Sequence, residues 1–295
     1  MGRIFTWDEI RANQVPTLDG IAQAKRDVLS WGEEMIGAHA ILGARLVGSS
    51  VRNPHRRGDV DVLLSTTLPI PHEAISSAEE LRKKIVSSYG IVLDHRFWED
   101  EVAAKSCTPR ISYLMLSSEP IQDTLRGEDP LRNGVQTDTT VASELASFAL
   151  LHRNYFGKSL PFQNHRRETN LLHSSVDAVK KFGVMIMAAN GDGIGIDKPS
   201  GFSYLKKLLP DEVAESVTRV EELDRGYDAI LDSVLAGSMG EEEYVQYVRG
   251  AEASSKRYTL DVFTYFVKPG NVEGVLEQQR YSAEGQRGSS PMERR

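Results

Sequence analysis

Two aspartates separated by one valine are the residues of this sequence best suited to chemistry. Asp59 and Asp61 belong to the run DVDVLLS, whose alternation predicts a β-strand with Val60, Val62 and Leu64 on one face. Because side chains alternate along a strand, both carboxylates are expected on the other face. Two such carboxylates repel each other unless a cation lies between them, and Mg²⁺ prefers oxygen ligands, including phosphate oxygens. The pair therefore indicates a site for a divalent ion and a polyphosphate; alternatively, Asp59 and Asp61 are two solvated aspartates of a surface strand.

A glycine-serine turn and a basic loop precede this strand. Gly48 would let the backbone approach a phosphate closely, and Ser49 or Ser50 could supply hydroxyl and backbone N–H donors. The loop that follows, VRNPHRRG, is basic, and Arg57 would lie close to any bound polyphosphate. Turn, basic loop and acidic strand together predict a metal–triphosphate site.

The surrounding pattern predicts a small mixed sheet covered by helices. A helix begins at Thr17 and is followed by the strand ARLVG. After the aspartate strand come the helix PHEAISSAEELRKKIVSSYG, whose apolar face includes Ile75 and which Gly90 ends, and two more strands, IVLDHRFW (91–98) and RISYLMLSS (110–118). The order helix, strand, strand, helix, strand, strand predicts a mixed α/β layer and not a row of parallel crossovers.

The second half of the chain has a different character. The stretch EPIQDTLRGEDPLRNG is turn-rich and polar, which predicts a linker. Beyond it, the periodicity predicts an all-helical domain with helices near 138–156, 168–189, 211–236 and 241–268. The predicted fold class is α+β, with a sheet domain over 1–130, a helical domain over 131–280 and a disordered tail over 281–295.

Composition restricts the functional classes. The formal net charge of −7 argues against one large basic face that coats nucleic acid, but not against a local basic site. The single cysteine, Cys107, excludes an intramolecular disulfide framework and favours a reducing cytoplasm. No apolar run approaches the ~20 residues of a membrane helix, and the first residues lack the apolar region of a signal peptide. We therefore expect a cytoplasmic protein that makes no membrane contact.

The run GSS followed by GDVDVLL resembles the signature of the polymerase-beta-like nucleotidyltransferase superfamily. That signature is a Gly-Ser turn, a spacer, and two acidic residues that flank one apolar residue in a strand. The resemblance implies a small mixed sheet with two or three metal-binding carboxylates, among them Asp59 and Asp61. It also implies Mg²⁺- or Mn²⁺-dependent transfer of a nucleotidyl group from an NTP, such as ATP, to an acceptor hydroxyl, with release of pyrophosphate. Gly48, Ser49 and Ser50 would then position the phosphates.

The third carboxylate has two alternatives under this resemblance. Asp94 follows the helix directly, as in the smallest members, and would complete the catalytic metal ligands and polarise the acceptor hydroxyl; otherwise it is a sheet-edge aspartate paired with His95 or Arg96. In the larger members the third acid lies on a later hairpin strand, which here would be RISYLMLSS and contains no acid. The first layout implies an enzyme. The second implies a catalytically degenerate nucleotide-binding sensor or scaffold.

A weaker resemblance concerns the helical half. VDAVKKFGVM followed by DKPSGFSYLKKLL is similar to the helical domain of poly(A) polymerases, CCA-adding enzymes and cGAS-like nucleotidyltransferases. By that comparison Lys180 or Lys181 would bind the triphosphate, and Ser203 or Tyr204 would lie near the nucleotide. Alternatively, the two lysines are only the solvated rim of an amphipathic helix. The acceptor stays open among RNA, another nucleotide, a protein hydroxyl and a small molecule such as an aminoglycoside.

Overall fold

The computed structural model describes residues 4–48, 59–67, 69–98, 124–129, 141–157, 171–190 and 200–276. Helices and one mixed sheet give the chain an α+β fold, as predicted. The elements are, in chain order, α1 (Trp7–Arg11), α2 (Leu18–Gly37), β1 (Gly43–Val47), β2 (Val60–Ser65), α3 (His72–Tyr89), β3 (Leu93–Trp98), β4 (Leu125–Gly127), α4 (Val141–Gly157), α5 (Leu171–Ala189), α6 (Ser200–Leu208), α7 (Asp211–Leu235) and α8 (Glu241–Phe266).

The four strands form one sheet in the order β3-β2-β1-β4. Strand β2 runs parallel to β3, whereas β1 is antiparallel to both β2 and β4. The alternation predicted for β2 is confirmed, because Val60, Val62 and Leu64 are buried in a core shared with α2 and α3. The other face of the sheet carries Asp61 and, on β3, Asp94.

Helices α2 and α3 cover one face of the sheet. The Thr17 side chain caps α2 by accepting a hydrogen bond of 3.0 Å from the Gly20 N–H, and Gly90 ends α3 in the left-handed conformation with φ +67°. Both boundaries were predicted. The expected buried face of α3 is shifted at its start, where Ala74 is fully buried and Ile75 remains 42% exposed. At the first turn of α3, the side chain that packs into the core is therefore Ala74 and not Ile75.

Strand β4 lies within the stretch predicted to be a linker. Its neighbour Gly43 on β1 approaches Glu128 so closely that a Cβ at Gly43 would lie 1.9 Å from the Glu128 carbonyl oxygen. An ion pair of 3.3 Å between the buried Arg45 guanidinium and Asp129 holds the same edge. The prediction was wrong here because a three-residue strand gives no periodicity, and its contacts come from residues far away in sequence.

The helical half is built from α4 to α8 around a second core. Four of these helices match the predicted ranges within a few residues, and α6 is an additional short helix. Helices α5 and α6 approach at two glycines, since a Cβ at Gly183 would lie 2.2 Å from the Gly201 carbonyl oxygen. The close backbone approach fixes α6 against α5, just beside the two lysines of the motif VKKFG.

The N-terminal segment packs with the helical half. Ile4, Phe5 and Ile10 are buried in the second core. The Phe5 N–H donates a 2.9 Å hydrogen bond to the Tyr227 hydroxyl, and the Tyr244 hydroxyl donates one of 2.6 Å to the Phe5 carbonyl. Within the described residues the N-terminal segment therefore joins the second core, while the expected domain boundary near residue 130 stays a prediction. Apolar side chains in so short a segment do not reveal which core they join.

No helix in the described ranges combines the length and apolar character needed to cross a membrane. The predicted strand 110–118 and the predicted tail 281–295 lie outside the described residues.

The attachment of the N-terminal segment is testable. Tyr227→Phe should destabilise the helical half by about 1–3 kcal/mol, because the buried Phe5 N–H loses its acceptor. Tyr265→Phe on α8 is the matched control, since the half-buried Tyr265 ring makes an edge contact with Phe266 at 5.2 Å. Urea unfolding followed by circular dichroism measures both. Equal unfolding midpoints for the two variants would contradict a stabilising role of the Phe5 contact.

Candidate functional site

Asp61 and Asp94 are direct neighbours across the parallel strands β2 and β3. Their Cα atoms are register partners, so both side chains lie on the face opposite α2 and α3. The Asp94 side chain is 46% exposed. Asp59 lies just before β2 and is exposed. The structure thus brings two of the three predicted carboxylates side by side on adjacent strands.

The predicted three-carboxylate group is not assembled in the structure. Within the described part of the chain, no three His, Cys, Asp or Glu side chains are grouped closely enough to hold one metal ion. The alternative strand for the third acid, RISYLMLSS, lies outside the described residues. Asp94 is the acid that the sheet topology places next to Asp61.

Gly48 lies directly against the Asp61 carboxylate. It follows β1 with φ +85°, a conformation that favours glycine, and a Cβ built there would lie 2.0 Å from Asp61 Oδ2. Any larger residue at position 48 would displace the carboxylate. The glycine of the predicted turn therefore also shapes the acidic site. Ser49, Ser50 and Arg57, the other predicted phosphate contacts of this region, lie outside the described residues.

Lys181 brings a positive charge from the helical half toward this face of the sheet. Its Nζ forms a 2.6 Å ion pair with Asp177 one turn earlier on α5, and the Lys181 side chain is 40% exposed. Burial alone would lower the pKa of Lys181, but the carboxylates of Asp177 and Asp61 outweigh that effect and raise the pKa, against a smaller opposing effect of Arg96. The Lys181 ammonium is thus within the electrostatic field of the acidic site.

Lys180, the adjacent lysine, points into the helical core. It is 2% exposed, its Nζ donates a 3.0 Å hydrogen bond to Asp224 on α7, and it lies 5.7 Å from the centre of the Phe202 ring. Its charge is therefore compensated inside the helical half. For the other candidate, Lys181, Asp61 is among the groups that raise the pKa, after the larger effects of burial and Asp177.

The two residues predicted on the following segment differ in exposure. Ser203 on α6 is exposed. Tyr204 is buried, and its hydroxyl accepts a 2.9 Å hydrogen bond from the Asn190 side-chain amide. The hydrogen bond ties the start of α6 to the end of α5. Tyr204 thus has a packing role that needs no nucleotide.

Two charged residues of the site were not predicted as functional. Arg96 lies on β3 two residues after Asp94, and its Nη2 donates to Asp94 Oδ2 at 3.4 Å. Asp177 pairs with Lys181, as described above. Strand alternation places Arg96 on the acidic face, and helical spacing places Asp177 beside Lys181. The pairing of Asp94 with Arg96 on the edge strand β3 is the alternative predicted for Asp94, whereas Asp177 was not named, although helical spacing could have found it.

His152 on α4 lies near the same lysine. Its Nδ1 is 2.9 Å from the Phe148 carbonyl oxygen, and its ring stacks on the Phe148 ring at 4.0 Å. Burial lowers the pKa of His152, and the Lys181 charge lowers it further, while the Phe148 carbonyl and Asp177 act in the opposite direction. The side chain therefore favours the neutral form and adds little positive charge beside Lys181.

Comparisons with models of protein families, with curated protein sequences and with solved structures give no significant match to this chain.

The contact between Gly48 and Asp61 gives a stability prediction. Gly48→Ala should destabilise the sheet half by about 1–2 kcal/mol for the left-handed backbone alone, with an added cost for displacing Asp61. Gly90→Ala is the matched control, because Gly90 has φ +67° but a Cβ there would meet nothing nearer than the Gln14 carbonyl oxygen at 3.5 Å. Urea unfolding should show the larger loss for Gly48→Ala.

The excess over the control should shrink when Asp61 is shortened. In an Asp61→Ala background, the cost of Gly48→Ala should fall toward that of Gly90→Ala, since the carboxylate is absent and only the Cβ of residue 61, at 3.3 Å from the added methyl group, remains close. An undiminished excess in this background would show that the Asp61 carboxylate is not what restricts position 48.

Proposed function

We propose that this protein is a metal-dependent nucleotidyltransferase that transfers a nucleotidyl group from an NTP to an acceptor hydroxyl. The supporting observation is the placement of Asp61 and Asp94 as register neighbours. Gly48 lies against the Asp61 carboxylate, and Asp61 is among the groups that raise the pKa of Lys181. The resemblance of GSS and GDVDVLL to the polymerase-beta-like superfamily was based on sequence spacing alone. The neighbouring position of Asp94 and the electrostatic interaction with Lys181 support it independently.

The donor chemistry of the site fits a divalent cation. Asp61 and Asp94 offer hard oxygen ligands from adjacent strands, and two neighbouring carboxylates are stabilised by a cation between them. We propose these two as ligands of Mg²⁺ or Mn²⁺, with phosphate oxygens of the nucleotide as further ligands, since Asp59 is not grouped with them in the described part of the chain. Such an ion would neutralise charge on the triphosphate and polarise the reacting phosphorus centre.

Each remaining residue has a role that follows from its position. Gly48 would allow the backbone to approach the phosphates, and Lys181 would direct its ammonium to the triphosphate from the helical half. Asp94, whose carboxylate is partly exposed, would accept the proton of the acceptor hydroxyl or polarise it. The nucleotide would then lie between the sheet and α5, in a position typical of ligand sites between two halves of a chain.

A second candidate is a nucleotide-binding sensor or scaffold without turnover. It is favoured by the ion pair between Arg96 and Asp94, which already compensates one of the two carboxylates. It is also favoured by the lack of a three-carboxylate group among the described residues. The two candidates agree on nucleotide binding and differ in whether pyrophosphate is released.

Pyrophosphate release separates the two candidates. Wild-type protein with Mg²⁺ or Mn²⁺, each radiolabelled NTP and pools of RNA, protein and small-molecule acceptors should transfer label and release pyrophosphate. Asp61→Asn and Asp94→Asn should each abolish transfer, because a neutral amide cannot replace a carboxylate on the metal. Asp8→Asn is the control, since Asp8 is 85% exposed on α1 and pairs along its own helix with Arg11.

Binding of NTP without label transfer in any pool would overturn the enzyme and support the sensor. Transfer that survives Asp94→Asn but not Asp61→Asn would remove Asp94 from the catalytic set.

The two adjacent lysines give a matched pair for nucleotide affinity. Lys181→Met should weaken NTP binding by roughly 10- to 150-fold, the equivalent of a charge-assisted hydrogen bond of about 1.5–3 kcal/mol, with a much smaller effect on the monophosphate. Lys180→Met should instead lower the free energy of unfolding by about 3–5 kcal/mol, because buried Asp224 loses its counter-ion. Calorimetric titration and urea unfolding measure the two effects.

If Lys180→Met does not fold, Lys180→Met/Asp224→Leu removes both charges and restores a testable protein. Unchanged NTP affinity in Lys181→Met would show that Lys181 does not bind the triphosphate and is only a solvated residue of its helix. Loss of affinity in the folded Lys180 variant, with stability retained, would reverse the assignment of the two lysines.

A further inference from the structure

Arg96 is positioned to exchange partners. It lies on the same strand face as Asp94, and the pair is a surface contact, with the Arg96 side chain 64% exposed and the Asp94 side chain 46% exposed. Exposed ion pairs of this kind contribute about 0–1 kcal/mol, so little free energy is lost when the guanidinium moves away. The 3.4 Å separation between Nη2 and Oδ2 is also long for a charge-assisted hydrogen bond.

Arg96 and Lys181 supply positive charge from different parts of the fold. Arg96 belongs to β3 and pairs with Asp94 at 3.4 Å. Lys181 belongs to α5, and its pKa, set mainly by burial and by Asp177, is also raised by Asp61 and lowered by Arg96. The acidic face therefore carries positive charge from the sheet as well as from the helical half. Lys181 is in addition compensated by Asp177 at 2.6 Å.

The charge balance of a bound nucleotide requires such cations. A nucleoside triphosphate with one Mg²⁺ remains negatively charged, and Asp61 and Asp94 would repel the part of it that the ion does not neutralise. Lys181, shared with Asp177, offsets only part of this repulsion. A guanidinium offers several N–H donors in a planar arrangement that matches phosphate oxygens. The Arg96 guanidinium already donates to the Asp94 carboxylate of this site.

We propose that Arg96 is a triphosphate-binding residue of this site, which neutralises Asp94 when no metal is bound and turns to the phosphates when a divalent ion takes its place. The inference rests on the proposed nucleotide site and adds a residue and a sequence of events to it. It assigns Arg96 two opposite effects: a cation at this position opposes binding of a metal ion alone and favours binding of the metal–triphosphate complex. A residue with a merely structural role would not separate these two effects.

Calorimetric titrations of Arg96→Gln test both effects. With Mg²⁺ and each of the four common NTPs, affinity should fall by roughly 10- to 150-fold, whereas affinity for the corresponding monophosphates should change little. With Mn²⁺ alone, affinity should rise, because a positive charge beside the ion is removed. Arg96→Lys should keep much of the NTP affinity because it keeps the charge. Arg82→Gln is the control, since Arg82 is 45% exposed on α3 and pairs with Glu79 at 2.9 Å.

The possible failures are distinguishable. If wild-type protein binds no NTP, the proposed site and this inference fall together. If wild-type binds NTP and Lys181→Met weakens binding while Arg96→Gln does not, the site stands and the inference on Arg96 is wrong. Equal losses for triphosphate and monophosphate, or weaker Mn²⁺ binding in Arg96→Gln, would also overturn it, because either result indicates that Arg96 only maintains the structure around Asp94.

Discussion

Repulsion between two neighbouring carboxylates is the constraint on which the site depends. Parallel pairing of β2 with β3 places Asp61 beside Asp94 on one face. Like charges in such a position cost stability unless positive charge is brought close to them. Here it comes from Arg96 on the sheet and from Lys181 on α5, so the charges of the helical half and those of the strands compensate one another. A divalent ion would neutralise the two carboxylates more strongly than these side chains do.

The adjacent lysines Lys180 and Lys181 of helix α5 have different partners. Lys180 faces inward and forms a buried pair with Asp224, and breaking a buried ion pair is strongly destabilising. Lys181 pairs with Asp177 along the helix, and against the lowering effect of burial both Asp177 and Asp61 raise its pKa. The lysine that interacts with Asp61 therefore belongs to a helix that also forms a buried charge pair with α7 and approaches α6 closely at Gly183 and Gly201.

The sequence predicted what depends on local order. Strand alternation correctly predicted the buried face of β2. Thr17 correctly predicted the start of α2, and Gly90 the end of α3. The position of Asp94 beside Asp61 also followed from local reasoning together with the family resemblance. Strand β4 and the packing of Phe5 against Tyr227 did not, because both depend on partners far away in the chain. Periodicity contains no information about which distant surface a short segment joins.

The same distinction explains why one candidate lysine could not be selected from sequence. Lys180 and Lys181 have identical chemistry and adjacent places on a helix, but Lys180 pairs with Asp224 on the distant helix α7, whereas Lys181 pairs with Asp177 on its own helix. Gly48 is a similar case, since its spacing suggested a phosphate turn, whereas its contact with Asp61 becomes visible only when β1 pairs with β2. That contact couples the turn to the acid. A change in the turn that shifts Gly48 would shift the carboxylate with it, so the two parts of the sequence motif act as one structural unit.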